Sequence, residues 1–266
     1  MNQTRDEVIR YRLHKMTELA KQRRSFLVNA EGRKGDWYIR IGGNGYRAVS
    51  LDLEHSLLGF ASSSTNNIET VITHFQMKPK NRPRRSTPEK RAQAWLIKQA
   101  INDKLSLKTC LGLDGSLYEE LLFALDEVSF GDNYHPPILR FDILAVGICD
   151  SGNFPVFIEL KSDRELGQLH TQLRMYQDQL KRYEHEFRKL LKACVDREIN
   201  LSKYGRIIVW PKSTGGRVSP RVESECDQYK VTIIESDTHD WSDVKDFSFH
   251  PYKRVYPPTT YVENSE

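Results

Sequence analysis

An α/β fold, with a mixed central sheet flanked by helices and a smaller α+β module at the N-terminus, is the class this sequence predicts. Three observations lead there. The runs RFDILAVGI (140–148) and PVFIELK (155–161) are apolar on both faces of a strand, as central strands covered on both sides must be. A long helical pattern over roughly 164–193 follows them and leads into two more strands, GRIIVWPK (205–212) and KVTIIESD (230–237). Helix, three strands, helix and two further strands make an α/β sandwich with both parallel and antiparallel neighbours. Finally, the pattern changes across a cationic, proline-containing stretch near residue 80, which separates a module over 1–80 from a larger domain over 88–266.

Within the first module, residues 5–24 set Val8, Ile9, Tyr11, Leu13, Met16 and Leu19 at helical spacing among many cations. DWYIRIGGNGYRAVSLDL (36–53) reads as two short strands around Gly42-Gly43-Asn44-Gly45, residue types that suit a hairpin turn. No Gly-Lys-Ser/Thr follows those glycines, so a phosphate loop is not indicated. SSSTNN (62–67) is a loop by composition. KPKNRPRRST (78–87) has two prolines, five basic residues and no apolar position, and the linker is set at 81–87. It serves as a plain connector or as a segment that follows phosphates, and the two are compatible.

Thr87-Pro88-Glu89 has the marks of a helix start: an N-cap threonine, proline at the first helical position and a carboxylate in the first turn. The helix runs through KRAQAWLIKQAIND with Ala92, Trp95, Leu96, Gln99 and Ala100 on one stripe. ELLFALDEVSF (120–130) is the first strand of the larger domain, and the aromatic, proline-rich tail from Phe247 is expected to be irregular.

Composition narrows the function classes. The 266 residues contain no apolar run near the ~20 of a membrane span, and the first 16 lack the apolar stretch of a secretion signal. Four cysteines, at 110, 149, 194 and 226, are too sparse for a disulfide scaffold and wrongly spaced for a zinc knuckle. A reduced, cytoplasmic protein with no membrane role is expected. The net charge of +4 hides a polarity: residues 1–91 carry 18 Lys and Arg against 9 Asp and Glu, the rest 22 against 27. A basic half that meets a polyanion is one reading, a solvated basic surface the other.

The two most apolar strands contain ionisable residues. Asp142 interrupts RFDILAV, and Glu159 and Lys161 end VFIELK. A charge buried without a partner is costly, so such groups pair, bind a metal or face a cleft. Alternation sets Glu159 and Lys161 on one face with Leu160 opposite. Two carboxylates and the Leu160 carbonyl make an all-oxygen set suited to Mg²⁺, with Mn²⁺ able to substitute. A neighbouring lysine can orient a metal-activated water or balance charge on a phosphoryl oxygen, so these parts suit phosphodiester hydrolysis. A salt bridge at a sheet edge is the alternative. In QLHTQLRMYQDQL (168–180), Gln172 and Tyr176 lie four apart on one helix face and offer hydrogen bonds to a phosphate or nucleotide.

FDILAV, FIELK and QLRMY, in that order, resemble the PD-(D/E)xK nuclease superfamily, and in particular its RecB-like branch with a Gln-x-x-x-Tyr motif. The resemblance spans about 87–235 and implies a restriction-endonuclease-like αβββαβ core. It also implies a Mg²⁺-dependent deoxyribonuclease in which Asp142 and Glu159 (with the Leu160 carbonyl) hold the metal, Lys161 is the catalytic lysine, and Gln172 and Tyr176 position substrate. The family's helix acid maps to Glu89, with Glu120 and Glu127 as rivals. Phe141 stands where the motif has its nominal proline. DNA in preference to RNA is the implied partner, in restriction and anti-phage defence or in repair, alone, as a homodimer or within a defence complex. A non-cleaving nucleic-acid-binding or assembly protein that keeps the same fold is the alternative.

Overall fold

The computed structural model describes residues 4–28, 37–43, 45–51, 65–77, 87–101, 106–127, 141–162, 169–213 and 219–260. The cationic stretch 78–86 and Asn44 of the hairpin turn lie outside the described residues. Chain order begins with α1 (Arg5–Val28), the hairpin β1 (Trp37–Gly42) and β2 (Gly45–Ser50), then α2 (Ile68–Met77). Next come α3 (Pro88–Ile101), α4 (Leu107–Cys110), β3 (Glu120–Asp126), β4 (Ile143–Cys149) and β5 (Gly152–Leu160). The chain continues with α5 (Leu169–Arg182), α6 (Glu184–Val195), β6 (Lys203–Trp210), α7 (Pro220–Tyr229), β7 (Thr232–Ser236), β8 (Phe249–Pro251) and β9 (Thr259–Thr260).

The larger sheet has seven strands in the order β3-β4-β5-β6-β7-β8, with β9 paired to β6. β3, β4 and β5 are antiparallel neighbours, β6 and β7 continue in parallel from β5, and β8 returns antiparallel. The sheet is therefore mixed, with helices against both faces. Burial explains why the central strands read as unbroken apolar runs. Along β5, Val156, Ile158 and Leu160 enter one core with α3, α4 and the C-terminal aromatics, while Phe157 enters the other with α1, α5 and α6. In β6, Ile207 and Val209 face the first core, Ile208 and Trp210 the second. Each fully buried Leu, Ile or Val contributes about 1.5–3 kcal/mol relative to exposure, so both helical layers are held by the same strands.

The N-terminal elements share this core. Ile9, Leu13, Met16, Leu19 and Ala20 of α1 are buried with Phe187, Leu190 and Leu191 of α6. Arg23, also on α1, donates to the carbonyls of Ile39 in β1 and Ala124 in β3. The hairpin turn needs its glycine: Gly45 has φ +126°, and a Cβ there would lie 2.4 Å from the Thr65 carbonyl oxygen.

Besides α2 and α4, which the sequence reading does not contain, three elements bear on the sequence expectation. The single long helix is two, broken at Tyr183 (φ −117°, ψ 35°), whose phenol donates to Asp6 on α1. A helix absent from the sequence reading, α7, crosses between β6 and β7, starting with proline at its first turn and ending at Lys230 in the left-handed region. In the tail, Phe249–Pro251 and Thr259–Thr260 form the short strands β8 and β9 while residues 252–258 are irregular, as expected, and Phe247 and Phe249 pack with Trp95 of α3, ring centroids 5.9 and 5.7 Å away. All four cysteines are free thiols. No helix among the described residues is long and apolar enough to cross a membrane.

Candidate active site

The candidate site forms where β4 begins and β5 ends. The antiparallel register pairs Ile143 with Ile158, so one step further sets Asp142 opposite Glu159. Asp142 stops the pairing there: its Oδ2 accepts from the Leu160 backbone N–H at 2.8 Å. Lys161 extends the other side, its N–H donating to the Val209 carbonyl at 2.9 Å. Leu160 enters the α3-side core, whereas Glu159 meets α5 on the opposite face, as strand alternation requires.

Helix α3 ties down these strand ends. Thr87 caps it, with Oγ1 accepting from the Lys90 N–H and its carbonyl from the Arg91 N–H. The first turn then reaches the site. Glu89 Oε1 accepts from both the N–H and the hydroxyl of Ser162, each at 3.0 Å. Gln93 donates to the Asp142 carbonyl at 2.7 Å, and Lys90 donates to Gln93 Oε1 at 2.9 Å. Lys90 also forms an ion pair with Glu127, just past β3, and lies 3.9 Å from Asp142 Oδ1. Glu127 is joined to Arg40 of the N-terminal hairpin at 3.1 Å, and Arg40 forms a buried ion pair with Asp126.

From α5, Tyr176 donates its hydroxyl to Glu159 Oε1 at 2.7 Å. The ring is locked by Phe157, 5.1 Å away between centroids, and by Phe141, edge-on at 5.9 Å. Phe141, at the motif's nominal proline position, thus helps to fix the phenol that holds the glutamate.

Glu159 is only 3% exposed, and its carboxyl is pushed up to about 8. Burial is the main cause, and the Asp142 charge adds to it; Lys161 and the Tyr176 hydroxyl act in the opposite direction without cancelling it. Each acid has one oxygen committed to a hydrogen bond. The other oxygens face ammonium groups at 3.5 Å (Lys161 to Glu159 Oε2) and 3.9 Å (Lys90 to Asp142 Oδ1). Two opposed carboxylates, with one oxygen each held only at such distances, suit a hard divalent cation that completes its shell with water. Among the described residues no three His, Cys, Asp or Glu side chains gather closely enough to hold a metal together.

Asp142, Glu159, Lys161 and Tyr176 therefore come together. Gln172 lies one turn before Tyr176 on α5 and is half-buried. Glu89 reaches the rim with its carboxylate on Ser162. Glu120 pairs with Ile148 at the far end of the β3–β4 ladder, away from the acids. Glu127 lies beside Asp142, its N–H donating to the Asp142 carbonyl at 3.2 Å, but its side chain is engaged by Arg40 and Lys90. The sequence reading passed over Lys90, Gln93 and Arg40. Lys90 and Gln93 carried a usable signal, since both follow Glu89 within the first two turns of α3; Arg40 carried none, because a hairpin arginine is ordinary. No family model matches the chain, and no curated protein matches it either.

Proposed function

We propose that the protein is a metal-dependent nuclease that hydrolyses phosphodiester bonds in DNA through Asp142, Glu159 and Lys161. The observation that carries this reading is Glu159, a buried carboxylate opposite a second carboxylate, which structural pairing leaves only partly compensated. Apart from the one-turn α4 between α3 and β3, the order α3, β3, β4, β5, α5–α6, β6 is compatible with the αβββαβ arrangement of the PD-(D/E)xK superfamily that the motifs resemble. Asp142 and Glu159, with the Leu160 carbonyl, would hold Mg²⁺. When bound, such an ion acidifies water and polarises phosphorus. Lys161, on the same side as Glu159, offers its ammonium to the attacking water or to the nonbridging oxygen that gains charge. Tyr176 keeps the Glu159 carboxylate oriented, and Gln172 is the candidate contact to the nucleotide. The more basic N-terminal part is the candidate grip on the sugar-phosphate backbone.

Supercoiled and linear DNA incubated with Mg²⁺ will be cut by the wild type to 5′-phosphate ends. Asp142→Asn and Lys161→Met will each lower the rate by about a hundredfold or more, with folding checked by circular dichroism. Indistinguishable rates for wild type and Asp142→Asn overturn the assignment. One observation favours the non-cleaving alternative: Glu89, the candidate helix acid, is occupied by Ser162. That reading predicts DNA binding without cleavage and a melting temperature insensitive to Mg²⁺ and Mn²⁺.

A further inference from the structure

Lys90 stands beside the acid pair but has no part in the Asp-Glu-Lys chemistry. Its ion pair with Glu127 and its bond to Gln93 are close, whereas Asp142 Oδ1 is 3.9 Å away. That separation is too long for a hydrogen bond, yet short enough for strong coupling in a partly buried site. The three charged side chains are only 14–23% exposed. Glu127 is in turn fixed: Arg40 binds it at 3.1 Å, its N–H is on the Asp142 carbonyl, and its backbone is left-handed with φ 43°. Arg40 is itself buried against Asp126. The ammonium is therefore held closely by Glu127 and Gln93 and only loosely by Asp142.

On the metal-dependent reading above, we propose that Lys90 is a resident counter-cation for Asp142, yielding that carboxylate to the divalent ion and remaining on Glu127. Glu127 then is a positioning residue that acts through Lys90 and not a metal ligand. A fixed positive charge beside Oδ1 opposes entry of a dication, so Lys90 sets how tightly the site loads.

Mn²⁺ alone, titrated into the full-length protein and followed by electron paramagnetic resonance, tests this directly. Lys90→Met tightens Mn²⁺ binding by roughly tenfold, and Lys90→Arg, which keeps the charge, leaves it near wild type. Lys108→Met, on α4 beside the far end of β3, changes nothing. Glu127→Gln weakens Mn²⁺ binding in the wild type and has no effect in the Lys90→Met background. Melting in EDTA verifies that each variant folds, and Lys90→Gln replaces Lys90→Met if the latter does not. Unchanged or weaker Mn²⁺ binding in the Lys90 variant, while Asp142→Asn abolishes it, overturns this inference alone. Equal weakening by Glu127→Gln in both backgrounds makes Glu127 a ligand and overturns its positioning role. Absence of Asp142-dependent binding in both wild type and Lys90→Met overturns the metal-dependent reading together with the inference.

Discussion

Glu159 makes the largest electrostatic demand at the candidate site. Its carboxyl sits at about 8 against an ordinary value of 4.5. Between those values the folded protein holds a proton that the unfolded chain has released, so the group's contribution falls as pH rises through that window. In EDTA, the wild type will lose about 5 °C or more of melting temperature relative to Glu159→Gln between about pH 5 and about pH 8.5. Parallel melting curves for the two proteins across that range would remove the unusual protonation. A bound divalent cation needs the ionised form, so Mn²⁺ affinity should climb steeply over the same interval. Tyr176 shows how neighbours moderate this: its hydroxyl favours the charged form, and Phe141 and Phe157 keep that hydroxyl in place.

At the level of elements, α1 behaves as part of the main core. Leu13 is fully buried in the cluster that holds Leu190 and Leu191 of α6. Leu13→Ala should cost about 2–5 kcal/mol and lower one cooperative transition by roughly 5–15 °C in calorimetry. A separate low-temperature transition with the main one unmoved would mean that α1 melts independently. The hairpin has a similar tie, since Arg40 of β1 is bonded to Asp126 and Glu127 at the end of β3. Some of these elements were plain in the sequence. The start of α3 was legible because Thr87, Pro88 and Glu89 carry the chemistry of a helix N-terminus locally. The break at Tyr183 was not, because neither proline nor glycine marks it and its phenol answers to Asp6, distant in sequence. Helix α7 went unread because its only buried residue is Cys226, which leaves almost no apolar stripe to detect.

For the whole molecule, the uneven charge distribution has a measurable consequence. If the basic N-terminal part grips DNA, affinity for a duplex, measured by fluorescence anisotropy in EDTA, should fall about tenfold or more between about 50 and about 200 mM salt. Affinity that ignores salt would leave the cations as ordinary surface charge. The α/β class, the strands β4 and β5 and the hairpin were determined by the sequence itself, because alternation, apolar runs and turn residues act over a few neighbours. So was the presence of carboxylates in strands otherwise built from apolar residues. What the tertiary structure decided is which charges meet. Lys90, Glu127 and Arg40 come from a helix, the end of a strand and an N-terminal hairpin, and only the packing of α3 and that hairpin around the ends of β3 and β4 brings Lys90 and Glu127 beside Asp142 and Arg40 onto Glu127. Coulomb coupling depends on separation in space, which chain spacing does not encode for residues so far apart in sequence.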